Sequence, residues 1–304
     1  MKEQPKSKEI PLFTEESTIA EVAGDPAFRP YGRLLFPTDL SLPGNMTLRE
    51  LSSSRIYLWY SHIRPEKTVE IVNRLKLWSL EGKQIFFPIY TEREIAKDPS
   101  KRNAGLFFFP GEEGREFAVM NAGGGFYYVG AMHDSFPHAV EASGKGYNAF
   151  ALIYRTEDPF QDLGRAIAWI WDHSDELKIR RDGYSLWGGS AGARMAAALG
   201  NREILRELTG RRDISQAAAV IMQYTGYTTV SPADAPTYAC VGTRDGIADW
   251  RGMKRRLEKL NRLGIPTEFH SYEGLGHGFG LGMGTGAEGW IRDAFAFWDR
   301  QIMK

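Results

Sequence analysis

The sequence predicts an α/β protein: a mostly parallel central sheet with an antiparallel N-terminal edge and helices on both faces. Three observations carry this. From Glu116 onward, short apolar segments alternate with amphipathic ones at the spacing of strand–helix–strand units. Residues 147–154, Tyr-Asn-Ala-Phe-Ala-Leu-Ile-Tyr, are apolar on both faces, as a buried parallel strand is. Finally, Gly188-Gly-Ser-Ala-Gly192 separates a strand-like run, 184–187, from a small-residue helix, 193–199.

Length and charge narrow the class. At 304 residues the chain is long enough to bury roughly three-quarters of its unfolded surface without disulfide or metal staples. Its 38 basic and 38 acidic residues balance, so there is no electrostatic case for nucleic acid or an anionic membrane. The first twenty residues are charged and lack the apolar core of a signal peptide, and no apolar stretch is long enough to span a bilayer. The lone Cys240 sits in an apolar run and reads as a small core residue. A cytoplasmic protein is expected.

The elements follow in order. Residues 1–50 are rich in Pro, Gly and charge; Pro26, Pro30, Pro37 and Pro43 argue for an extended arm rather than helices, followed by a single domain over 51–304. Residues 55–60 read as a strand and 65–80 as an amphipathic helix closed by Gly82. Residues 84–90 and 106–109 read as further strands of an antiparallel edge, with a turn at 110–114. Then come strands at 117–120 and 147–154, with a helix at 135–143 between them. Asp158 is placed to cap the next helix, with Pro159 at its first position and Gln161 completing a capping box. Strands at 217–222, 237–241 and 267–272, a helix at 250–263 and a final helix at 287–302 complete the chain. Right-handed crossovers put the strand carboxyl ends on one edge, where a ligand site is expected.

Ser190 is the candidate nucleophile. A tight strand-to-helix turn holds its hydroxyl out at that edge, and a β-carbon at Gly188 or Gly192 would collide with neighbouring backbone. The hydroxyl needs a base. Of six histidines, His277 stands in the glycine-rich loop Gly274-Leu-Gly-His-Gly-Phe-Gly280, straight after the last strand, on the same edge. Asp245 follows the strand ending at Gly242 and is placed to orient the imidazole; nearby Asp249 reads as a helix cap. The oxyanion hole needs backbone N–H groups, expected from Gly124 and Gly125 in Asn121-Ala-Gly-Gly-Gly-Phe126 and from Ala191 after the serine. Phe126, Tyr127 and Tyr128 are candidates for lining the substrate pocket, and His133 and Asp134 follow closely enough to touch substrate. No metal-ligand spacing is present, and Gly284–Gly289, which matches a dinucleotide fingerprint, lacks the strand context that would give it meaning.

Six motifs occur in one order: Gly123-Gly-Gly-Phe126; Gly146-Tyr-Asn-Ala-Phe150 with Tyr154-Arg155; Asp162-Leu-Gly-Arg-Ala-Ile167 with Trp169-Ile170; Gly188-Gly-Ser-Ala-Gly192; Gly242-Thr-Arg-Asp245; and Gly276-His-Gly-Phe-Gly280. Together they resemble an α/β-hydrolase serine esterase of the acetyl-xylan/feruloyl-esterase-like branch, related to the prolyl-oligopeptidase-like and hormone-sensitive-lipase-like groups, over about residues 105–304. The resemblance implies nucleophile Ser190, acid Asp245 and base His277, with oxyanion donors at Gly124, Gly125 and Ala191. It also implies no cofactor. Two departures stand out: Ala122 replaces the histidine that the lipase-like group carries before its glycines, and Arg194 takes a place where the carbohydrate-esterase branch often has histidine.

The expected activity is hydrolysis of small or short-acyl esters, acetylated carbohydrates among them, through an acyl-enzyme. The expected partner is a small-molecule ester, with no nucleic acid and no membrane; a homo-oligomer is left open. A prolyl-oligopeptidase-like peptidase or amidase is the nearest rival, and a non-catalytic hydrolase-like binding protein the rival of another class.

Overall fold

The computed structural model describes residues 10–303. Its centre is an eight-stranded sheet built from β1 (Phe86–Pro88), β2 (Gly105–Phe109), β3 (Glu116–Asn121), β4 (Asn148–Ile153), β5 (Arg180–Gly189), β6 (Ala219–Gln223), β7 (Thr237–Gly242) and β8 (Thr267–Tyr272), in the order β1-β2-β4-β3-β5-β6-β7-β8. β1 and β2 are antiparallel to their neighbours and all other pairs are parallel. This is the mixed sheet with an antiparallel N-terminal edge that the sequence predicts. β3, β4, β6 and β7 are buried at every residue, which explains why they read as continuous apolar runs rather than alternating ones. Cys240 lies buried in β7.

The helices are α1 (Ile19–Gly24), α2 (Leu48–Ser53), α3 (Pro65–Leu80), α4 (Glu92–Lys97), α5 (Ala131–Asp134), α6 (Phe136–Gly144), α7 (Pro159–Asp172), α8 (Ala191–Leu199), α9 (Arg202–Thr209), α10 (Trp250–Arg262) and α11 (Trp290–Ile302). α7, α8 and α9 form one covering layer, and α3, α6 and α11 lie in the other. Most predicted elements sit within a few residues of their expected places. The cap predicted for α10 is made: Asp249 accepts hydrogen bonds from the N–H groups of Arg251 and Gly252, both at 3.1 Å.

Three expectations are corrected. Of the arm predicted over 1–50, residues 1–9 lie outside the described residues and the rest is not extended: α1 forms and α2 begins there, each opened by a capping box, Thr18 with Glu21 and Thr47 with Glu50. A third box, Thr91 with Glu94, opens α4 in the segment between β1 and β2. The apolar residues Ile19, Val22, Phe28, Leu35 and Leu51 join the main core. Lys76 of α3 fastens this segment from below, donating to the Pro11 carbonyl at 2.7 Å and to Asp25 at 2.9 Å. The second correction is that residues 55–60 form no strand but a loop in which Trp59 has φ +76°. The third concerns Asp158, whose side chain does not cap α7 and instead pairs with Arg155 at 3.0 Å. The carboxylate has a stronger claimant than two backbone N–H groups, since a guanidinium bond is charge-assisted.

No helix among the described residues is long and apolar enough to cross a membrane.

Candidate active site

β5 runs out at Gly189 and α8 begins at Ala191, so the whole reversal falls on Ser190. Its backbone is bent to φ +51°, ψ −115°, a conformation that costs an L-residue of order 1–3 kcal/mol and persists only where its surroundings enforce it. They do so here: the Ser190 N–H donates to the Gln223 carbonyl at 2.9 Å, and Arg194 N–H to the Ser190 carbonyl at 3.2 Å. The turn is as tight as expected. A β-carbon on Gly188 would strike the Gly192 backbone, and one on Gly192 would strike the Asn121 carbonyl of β3.

The parallel order then brings the remote residues together. Asp245 follows β7, and His277 follows β8. The Ser190 Oγ lies 3.0 Å from His277 Nε2, and His277 Nδ1 lies 2.7 Å from Asp245 Oδ2. The Asp245 side chain is fully buried, and its other oxygen accepts the N–H groups of Ile247 and Ala248, each at 2.8 Å. Those two bonds fix the carboxylate, so Nδ1 carries the proton and Nε2 is left to accept one from the serine. A hydroxyl so placed can pass its proton to the ring when it attacks a carbonyl.

The loop after β3 closes the site from the other side. A β-carbon on Gly123 would stand 2.9 Å from Ser190 Cβ, so this loop lies directly against the serine. The Gly123 N–H is taken up by Asp134 Oδ2 at 2.8 Å. The next two glycines turn through positive φ, +127° and +62°, and no hydrogen bond within the described residues takes up the N–H of Gly124, Gly125 or Ala191. Three unclaimed donors beside a serine hydroxyl can hold an oxyanion.

The remaining expected contacts sort themselves by burial. Tyr127 is 74% exposed at the rim. Phe126 is half-buried, packed on Tyr154 and Phe160. His133 is buried edge-on against Tyr57, with ring centroids 4.3 Å apart, and desolvation lowers its pKa to about 3, so it stays neutral. Asp134, beside it, is buried too and reaches backbone and hydroxyl donors instead of open space.

One part of the site escaped sequence reasoning altogether: the loop at 55–63, which straps across the rim. The Tyr128 hydroxyl donates to the Leu58 carbonyl at 2.6 Å, and the Trp59 ring stacks on that of Tyr128 at 6.1 Å. Ser61 binds the carbonyls of His277 (3.0 Å, from Oγ) and Gly278 (2.9 Å, from N). Its apolar alternation resembles a strand, and only the absence of a partnering strand tells otherwise. Among the described residues no group of three His, Cys, Asp or Glu is placed to hold a metal ion.

No protein-family description matches the chain, and no curated protein matches it in sequence. Solved structures do. An apo form of esterase 2 from Thermogutta terrifontis aligns with TM-score 0.55 at 21% identity, over 66% of this chain and 89% of that one. The propionate-bound form of the same esterase gives TM-score 0.57 at 22% identity, over 65% and 89%. MGS-M1, an alpha/beta hydrolase enzyme from a Medee basin deep-sea metagenome library, gives 0.54 at 19%, over 66% and 93%. With the observed strand order and elbow, these likenesses establish the α/β-hydrolase fold.

Proposed function

We propose that the protein is a serine carboxylic-ester hydrolase acting on short-acyl esters. The observation that carries the reading is the unbroken relay from Ser190 Oγ through His277 to Asp245, at 3.0 and 2.7 Å, on a strained turn. In this reading Ser190 attacks the ester carbonyl while His277 Nε2 takes its proton. Asp245 holds the tautomer and stabilises the imidazolium, and Gly124, Gly125 and Ala191 N–H groups receive the oxyanion. His277 returns the proton to the leaving alcohol, and water activated by the same ring then frees the acyl group.

Two facts support short acyl chains. The connection from β6 to β7 spans only residues 224–236, leaving no room for a large inserted lid. The Thermogutta esterase has been captured with propionate and with butyrate bound. Acetylated carbohydrates fall within this class. The test is a series of p-nitrophenyl esters from acetate to palmitate, with Ser190→Ala as control. Turnover should be greatest at two to four carbons and vanish in the control; faster hydrolysis of long chains would refute the short-acyl preference. Since the Thermogutta enzyme is known phosphorylated by paraoxon, mass spectrometry after paraoxon treatment should find the adduct on Ser190.

A further inference from the structure

We infer that Asp134 is a positioning residue: one buried carboxylate that sets the oxyanion loop and the histidine loop at a fixed separation. The inference rests on the hydrolase reading above and adds to it a group outside the triad. Asp134 is 2% exposed and directly beneath the elbow, where a β-carbon on Gly189 would collide with its carboxylate. Its Oδ2 accepts the Gly123 N–H at 2.8 Å and the Tyr60 hydroxyl at 3.1 Å; its Oδ1 accepts the Tyr224 hydroxyl at 2.5 Å. Each partner belongs to a different part of the site. Gly123 begins the turn that presents the Gly124 and Gly125 donors. Tyr60 belongs to the strap, whose next residue holds the carbonyls of His277 and Gly278. Tyr224 follows β6, packs its ring edge-on to His277 at 4.9 Å, and accepts the Gly280 N–H at 3.3 Å on the hydroxyl it donates to Asp134.

The carboxylate is therefore the common point of segments remote in sequence, each of which fixes one half of the acyl-transfer geometry. Three donors converge on two oxygens, an arrangement a neutral amide cannot fully reproduce, because its NH2 has no acceptor lone pair for the Tyr224 proton. A buried charge is an expensive way to brace a fold, and the same donors could be satisfied by backbone carbonyls. What a carboxylate adds is strong, directional bonds to several donors at once. Displacement of a reacting group by about 1 Å costs on the order of 100-fold in rate, so loosening this point should register in turnover before it registers in folding.

The experiment compares Asp134→Asn, Tyr224→Phe and the double variant with wild type. Readouts are kcat and KM on p-nitrophenyl acetate, melting temperature, and Ki for a trifluoromethyl ketone that forms a tetrahedral adduct. For Asp134→Asn, kcat should fall about 10- to 100-fold with KM within threefold, Ki should weaken by the same factor as kcat/KM, and melting should shift by only a few degrees. Tyr224→Phe keeps the ring and should lose kcat about 3- to 10-fold. The double variant should lose little more than Asp134→Asn alone, since both act through one bond. Unchanged kcat and Ki in Tyr224→Phe, or losses in Asp134→Asn that merely track its melting temperature, would overturn the inference. If Ser190→Ala instead retained full turnover, the hydrolase reading itself would fall, a result distinguishable from either.

Discussion

Residue by residue, the site is a set of groups whose protonation is fixed by burial and by their partners. If Ser190 is the nucleophile the proposed function makes it, Ser190→Ala should lower kcat by about 10⁴-fold or more, and Asp245→Asn, which spoils the tautomer while leaving the ring in place, by about 10³ to 10⁴. Both are read from single-turnover rates with protein shown folded by circular dichroism. Asp134 makes a different forecast. Desolvation raises its pKa from 3.8 to about 6, against the opposing pull of the Tyr224, Gly123 and Tyr60 donors and the nearby His277. A raised carboxyl favours the neutral form in the fold, so its contribution to stability is complete below pH 3.8 and is lost as pH climbs through 6. Urea titrations of wild type and Asp134→Asn at pH 4 and pH 7 should therefore diverge by about 2 kcal/mol, wild type losing more on going up. Ser190, Asp245 and His277 were legible as one cluster in the sequence because glycines surround them and the strands fix which edge they occupy. Asp134 was legible only as a neighbour of the glycine loop after β3, since nothing local says that Tyr60 and Tyr224, 74 and 90 residues away, will come to it.

At the level of elements, what could be read depended on length. α3, α7, α10 and α11 carry enough turns for an apolar stripe to declare itself. α1, α2 and α4 are six residues each and have no stripe to show. Their signature is the Thr-x-x-Glu box at Thr18, Thr47 and Thr91, and that signal was present but outweighed by the prolines around it. The strap failed for the opposite reason: residues 55–60 have strand-like side chains but no neighbour to pair with. Two substitutions test this account. Asp249→Ala removes a cap that is really made and should cost α10 about 1 kcal/mol, measured by urea unfolding. Asp25→Ala leaves the Lys76 ammonium buried without its counter-charge and should cost about 3 kcal/mol by the same assay.

For the whole molecule, the decisive fact is that four consecutive parallel strands, β5, β6, β7 and β8, bring Ser190 after β5, Asp245 after β7 and His277 after β8 to one edge. That much follows from handedness and from the alternation of strand and helix, which is why the fold was legible before any side chain was placed. Response to acid is also a property of the whole. His133 and His138 are buried and neutral, with pKa lowered by desolvation to about 3 and about 4. Each contributes stability in full above pH 6.5, and that contribution is lost as pH falls toward those values, at about 1.4 kcal/mol per pH unit. Asp134 offsets roughly one of the two between pH 6 and 4. Thermal melting followed from pH 7 to pH 4 should show a steep decline, and His138→Gln should flatten it; an unchanged slope in that variant would contradict the assignment.

The strap grips the histidine loop through main-chain carbonyls, and the Leu58 side chain it turns outward, at 54% exposure, carries none of that grip. Anchorage and decoration are thus separate on the same few residues. A randomised library at position 58 could reshape the rim while leaving the hydrogen-bonded groups beneath it in place, which makes this one position the natural starting point for retuning which esters the proposed hydrolase accepts.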